Sequence, residues 1–148
     1  MLFRSVAIIE RGAFGGTCVN TGCIPTKTLV ASAYAAHMAR RAGEFGVRLA
    51  GPVHVDMARV KARADAVSTN ARVAIERSLR GMQGCTVFTG HARFVAPDAV
   101  VVGEEALSAP RIFINVGGRA FVPPLPDVDQ VPYLTNTSVL ALDRLPRI

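Results

Sequence analysis

Tryptophan is missing from this 148-residue chain, and two tyrosines and seven phenylalanines are its only aromatic residues. So small a set offers little platform for stacking bases. That scarcity weighs against a nucleic-acid partner, even though 17 basic side chains outnumber 11 acidic ones and leave a net charge of +6. The basic residues Arg40, Arg41, Arg59, Lys61, Arg63, Arg72, Arg77 and Arg80 alternate with Ala and Val at helical spacing, which is the pattern of solvated faces on amphipathic helices. Long apolar runs are lacking too. Half of the residues are apolar, yet no stretch is long enough to span a bilayer, so no membrane segment is expected. The start, Met1 to Arg4, leads directly into a strand-like run without the charged, apolar and small-residue regions of a secretory leader, and the expected location is the cytoplasm. No internal repeat or low-complexity tract is present.

Cysteine is scarce and odd in number, three in all, which argues against a secreted disulfide scaffold. Structural zinc needs a second Cys or His pair, and here Cys85 stands alone while His37, His54 and His91 lie far apart, so no metal site is expected. Cys85 enters the apolar run Thr86–Phe88 and reads as a core residue. Cys18 and Cys23 read differently. They stand in GGTCVNTGCIPTK, residues Gly15–Lys27, between a glycine pair and a Pro-Thr-Lys turn. A thiolate, not a thiol, attacks disulfides and binds soft metals, so a working dithiol has to lower a thiol pKa. Cys18 follows Gly16 and Thr17 at an expected helix start, where unpaired N–H groups and the helix dipole favour an anion. Positions i and i+5 of an ideal helix suit a disulfide poorly, and Gly22 and Pro25 are expected to distort the turn. Three readings stand: small buried apolar residues, a stand-alone thiol or metal-binding module, and a redox dithiol serving a cofactor.

The chain reads as α/β. A strand over Ser5–Glu10 is followed by a turn containing Gly12, Gly15 and Gly16, then a helix over Thr17–Ala42 and a Gly-Pro-containing connection, Gly43–Pro52. Asp56 is the expected N-cap of a second long helix. In it Met57, Val60, Ala64, Val67, Ala71, Ile75 and Leu79 share a face, and Gly81 or Gly84 ends it. Short apolar runs at Thr86–Thr89, Ala92–Val95, Ala99–Val102, Glu105–Ser108 and Arg111–Val116 form a small β meander. Val122–Pro126 is extended, and Asn136–Leu142 opens another short helix.

Strand, acidic residue, glycine turn and thiol helix, in that order, resemble the flavin-binding half of the pyridine nucleotide-disulfide oxidoreductases. The wording CVNTGCIPTKTLVASAYAAH is most like mercuric reductase and its relatives, with dihydrolipoamide dehydrogenase and glutathione reductase as alternatives. The resemblance covers nearly the whole chain and implies a partial FAD-binding Rossmann-like domain of three layers. It makes Cys18 the thiol that exchanges with substrate, Cys23 the thiolate against the flavin, and Lys27 a neighbour of the reactive ring edge. Gly16 and Thr17 belong to the same cofactor-binding turn. Glu10 matches the residue that holds the adenosine ribose, Ala92 in Gly90-His91-Ala92 the adenine contact, and Gly117 the end of a strand where IFINVG replaces a usual ending in Ala-Thr-Gly.

Further expectations follow from the resemblance. The Gly-x-Gly-x-x-Gly turn should precede Glu10 by about twenty residues, and only nine precede it here. The chain therefore reads as residues 1–122 of a partial FAD-binding domain, its first strand and glycine turn missing. Residues 123–148 read as a connection toward an absent NAD(P)-binding domain. Alone it is expected to be inactive. The complete enzyme would be a homodimer that passes electrons from NAD(P)H through FAD and Cys18/Cys23 to a small disulfide or a soft metal ion.

Overall fold

The computed structural model describes residues 5–145. The readings made on Met1–Arg4 and on Pro146–Ile148 lie outside them.

The first strand, β1, spans Val6–Glu10 and has the β-branched content that suits a pleated surface. It pairs with β2, Cys85–Thr89, in parallel, with Val6 opposite Cys85 and Glu10 opposite Thr89. The amide of Val6 extends this ladder to the Gly84 carbonyl at 2.8 Å, and that of Gly90 to the Glu10 carbonyl at 3.0 Å. Parallel strands need a crossover, here the helical stretch between residues 11 and 84. This corrects the expectation that Thr86–Thr89 opens the meander: a strand's partner depends on chain far away in sequence, which local pattern does not report.

The meander consists of β3 (Ala92–Ala96), β4 (Ala99–Val102) and β5 (Glu105–Ser108), all antiparallel, with an irregularity between Phe94 and Ala96. In the central strand Val100 and Val102 alternate into the interior, as a period of two requires. Gly90 joins β2 to β3 at φ +152°, and a Cβ placed there would stand 2.9 Å from Cγ1 of buried Val102. Gly90→Ala is therefore expected to cost roughly 1–3 kcal/mol, from overpacking and unfavourable φ together. Chemical denaturation checks it, and a loss under a few tenths of a kcal/mol contradicts it.

The long first helix is in fact two. α1 takes Gly16–Asn20, α2 takes Cys23–Arg40, and the break falls at Thr21 and Gly22. The break falls at Gly22, where a Cβ would stand 2.8 Å from the Thr17 carbonyl oxygen, and not at Pro25. Pro25 sits in the first turn of α2, where its missing N–H has no helical partner to lose, and it is buried. α3, Met57–Arg80, begins as expected: the Asp56 carboxylate accepts the Arg59 amide at 3.0 Å. It ends where the Gly81 amide reaches the Arg77 carbonyl at 3.0 Å, just before Gly84 at φ +77°. Lys61 pairs with Asp65 and Arg80 with Glu76, both at i,i+4, so part of the positive charge is neutralised along the helix itself.

Residues 111–121 form no strand, contrary to the expectation for Arg111–Val116. Phe113, Val116 and Phe121 are 79%, 86% and 84% exposed. A strand is a paired state, and no described strand lies alongside to pair with this segment. Val122–Pro126 has no regular structure, and a 3₁₀ turn at Ser138–Ala141 falls inside the expected Asn136–Leu142 helix. By compactness the chain divides into two units. One comprises Ala71–Gly118 with the chain up to Gly16; the other comprises Thr17–Asn70 with the chain from Arg119 onward. Among the described residues no helix is long and apolar enough to cross a membrane.

Candidate active site

Cys18 lies in the middle of α1 and Cys23 is the first residue of α2, so the two thiols sit on either side of the helix break. The break has a steric cause. The Thr17 carbonyl accepts the Thr21 amide at 2.9 Å, and a Cβ on Gly22 would stand 2.8 Å from that same oxygen. Only a residue without a Cβ lets the chain turn back so closely. The next bond, Thr26 amide to Gly22 carbonyl at 3.0 Å, already belongs to α2.

Both cysteines are free and exposed. The Cys18 thiol is pushed up from its ordinary range, first by the side-chain hydrogen bond with Cys23, then by partial desolvation and by repulsion from the Cys23 charge. The backbone of Cys23 and the Lys27 ammonium act the other way. The expectation of a lowered pKa is thus reversed for the reduced pair. α1 has only five residues and contributes little dipole, while the two thiols share a hydrogen bond that the protonated form of Cys18 keeps. Lys27 stands one turn beyond Cys23 on α2, exposed and within electrostatic reach of Cys18. Thr17, Cys18, Cys23 and Lys27 therefore gather at one place in the second unit.

Glu10, Gly16, Ala92 and Gly117 belong to the first unit. Glu10 closes β1 at its carboxyl end, half-buried, and its Oε1 accepts the Gly12 amide at 2.8 Å. That bond fixes the carboxylate while leaving lone pairs for further donors. The following turn takes positive φ at Gly15 (96°) and Gly16 (59°), with open space where a Cβ of Gly16 would stand. A cavity of about 280 Å³ is lined by Gly12, Ala13, Phe14, Arg72, Glu76 and Thr89. Ala92, exposed, starts β3 opposite Val102, and Gly117 has φ +74° with nothing close to it. Cys85 is half-buried at the start of β2, less enclosed than a core residue. Among the described residues no three His, Cys, Asp or Glu side chains converge on a point.

Sequence reasoning missed Arg63. It reads as one more solvated charge on α3, but its Nη1 donates to the Thr28 carbonyl at 3.0 Å and to Ser32 Oγ at 3.2 Å on α2. No periodicity in the sequence announces a contact across 35 positions.

The family described as pyridine nucleotide-disulphide oxidoreductase matches residues 4–148. Mercuric reductase of Bacillus cereus is 35% identical over 145 residues, 98% of this chain and 23% of that protein. Dihydrolipoyl dehydrogenase of Acholeplasma laidlawii is 34% identical over 125 residues, 84% of this chain and 37% of that protein. Among solved structures, the HOCl-induced flavoprotein disulfide reductase RclA of Escherichia coli superimposes with a TM-score of 0.72 at 32% identity, over 97% of this chain and 30% of that one. The chain spans about a quarter of the length of the mercuric reductases it matches.

Proposed function

This chain belongs to the pyridine nucleotide-disulphide oxidoreductase family, and on that premise we propose that it carries the FAD-binding and dithiol portion of an NAD(P)H-dependent oxidoreductase of the mercuric reductase type. The family is one of flavin-dependent oxidoreductases whose cofactors are FAD and NAD(P)H. The observation that carries the reading is the pair of free thiols, Cys18 and Cys23, hydrogen-bonded across a helix break that a glycine makes possible. In this reading residues 1–122 serve the flavin, 123–148 lead toward a nicotinamide-binding domain, and the complete enzyme works in the cytoplasm as a homodimer.

The residues suit the cofactor. Glu10, held by Gly12 at the carboxyl end of a parallel strand, presents a fixed carboxylate to ribose hydroxyls. Gly16, Thr17, Lys27, Ala92 and Gly117 would complete the contacts. When bound, FAD supplies the two-electron carrier between NAD(P)H and the dithiol. Cys18, as thiolate, attacks one sulfur of a substrate disulfide and the other sulfur leaves as a thiolate. Cys23 then displaces the second substrate sulfur from Cys18. The substrate ends as two thiols and the protein as the Cys18–Cys23 disulfide, so two electrons have passed outward. Toward a soft ion such as Hg(II), both sulfurs act as ligands and give up their protons. Lys27 favours the anionic form of Cys18 in either case.

Titration of FAD by the purified chain, followed by quenching of flavin fluorescence, tests the cofactor assignment. Saturable quenching is expected, weakened about tenfold in Glu10→Ala by loss of a charge-assisted hydrogen bond and unchanged in Glu44→Ala. Absence of saturable quenching by the unmodified chain, or equal binding by Glu10→Ala, overturns the assignment of Glu10.

A further inference from the structure

We propose that Arg63 is a positioning residue for the Cys18–Cys23 dithiol, clamping α2 to α3 so that Cys23 is presented to Cys18 across the helix break. The inference rests on the dithiol reading above.

The clamp is built from three groups. Arg63 Nη1 donates to the Thr28 carbonyl and to Ser32 Oγ, and the Ser32 hydroxyl also leans on the Thr28 carbonyl at 3.4 Å. Thr28 is the buried polar residue among the described residues, 8% exposed, and its own hydroxyl donates back to the Ile24 carbonyl at 2.8 Å. The chain of contacts therefore runs from Arg63 through Thr28 to Ile24, the neighbour of Cys23. A helical carbonyl that already serves its own helix is here given a cationic donor from another helix, and hydrogen bonds to charged groups are the stronger ones. One Arg63 nitrogen thus makes a forked contact with two α2 groups that also touch each other, which fixes the position of α2 against α3 at that point.

The position of this anchor matters because α2 is one continuous helix from Cys23 to Arg40. Cys23 and Lys27 ride on α2, whereas Cys18 rides on α1, which has its own buried anchor in Val19. The two helices are joined only by the short break at Thr21 and Gly22, so a small rotation of α2 displaces Cys23 from Cys18 while each helix stays intact. At 3.0–3.2 Å the Arg63 bonds have little slack, and a neutral or shorter side chain cannot make both.

The test is the equilibrium with glutathione disulfide, in which one glutathione disulfide becomes two glutathione molecules as the protein dithiol becomes its internal disulfide. For Arg63→Met the equilibrium constant is expected to fall about fivefold or more, the scale set by loss of one charged hydrogen bond. Arg63→Lys is expected to recover part of the loss, and Ser32→Ala to shift the constant in the same direction by less. Arg59→Met, on the same helix, is expected to leave it unchanged. Helix content by circular dichroism is measured alongside; because Ser32→Ala removes a single oxygen, it keeps the comparison valid should Arg63→Met fold poorly. An unchanged constant in both Arg63→Met and Ser32→Ala overturns the clamp while leaving the dithiol reading intact. Failure of the unmodified chain to form the internal disulfide overturns both.

Discussion

In Cys18→Ser and in Cys23→Ser, oxidation by glutathione disulfide is expected to stop at a single glutathione adduct, whereas the unmodified chain passes through that adduct to an internal disulfide. A second thiol held beside the first acts at a high effective concentration, so closure should exceed a second intermolecular exchange by about a hundredfold or more. Mass spectrometry of the intact chain reads the difference directly. The two cysteines should not be equivalent in their response to pH. Hydrogen bonding to Cys23 and repulsion from its charge both disfavour the Cys18 thiolate. Removing the Cys23 thiol in Cys23→Ala withdraws both, while the Cys23 backbone and Lys27, which favour the anion, stay in place. The Cys18 titration should therefore move to lower pH, and alkylation of Cys18 near pH 7 should speed up. A slower reaction in Cys23→Ala contradicts this order of effects.

Gly22→Ala is expected to damage the same site by a different route. The new Cβ would lie 2.8 Å from the Thr17 carbonyl oxygen, a backbone atom that is itself held by the Thr21 amide at 2.9 Å. Either the backbone opens or the break migrates. Overpacking of this kind costs typically 1–3 kcal/mol. It should also part Cys18 from Cys23, so that the fall in the dithiol–disulfide equilibrium exceeds what lost stability explains. Denaturant titration and glutathione equilibration on the same sample separate the two effects. A variant of unchanged stability that still closes its disulfide contradicts the steric account of the break.

These expectations show which parts of the molecule were legible in the sequence. Local chemistry was. Asp56 caps α3 because a carboxylate before an apolar-periodic run has an orphan amide to accept, and Gly81 follows the end of that helix. Glu10 at the end of a β-branched run, with glycines after it, marked the strand and its turn. Gly22 was visible as a source of distortion, but the clash that makes it necessary involves a carbonyl five residues earlier and shows only in three dimensions. Pairing was not legible. β2 looked like the first strand of the meander and instead lies parallel to β1, because the choice between neighbours is made by the long helical crossover. The run at Ile112–Val116 has strand composition, yet a strand exists only with a partner, and this segment has no regular structure and is largely exposed.

The candidate site divides along the same line. Cys18 and Cys23 were identified by residue type and spacing, since thiol chemistry needs two sulfurs whatever the surrounding fold, whereas Lys27 was named by the family resemblance alone. The direction of the Cys18 shift was not identified, because it depends on whether the partner thiol is close enough to share a hydrogen bond. Arg63 was hidden for a related reason: on a helix carrying many basic residues, sequence does not distinguish the one that meets a backbone carbonyl from those that meet water.

The central claim is that Cys18 and Cys23 form one redox unit and Cys85 does not. Digestion with trypsin after mild oxidation and alkylation tests it most directly, because cleavage after Arg11 and Lys27 releases both cysteines in the single peptide Gly12–Lys27. The account expects that peptide to be unalkylated and lighter by two hydrogens, with Cys85 fully alkylated. Alkylation of both Cys18 and Cys23 after oxidation, or a cross-link from either to Cys85, would contradict it.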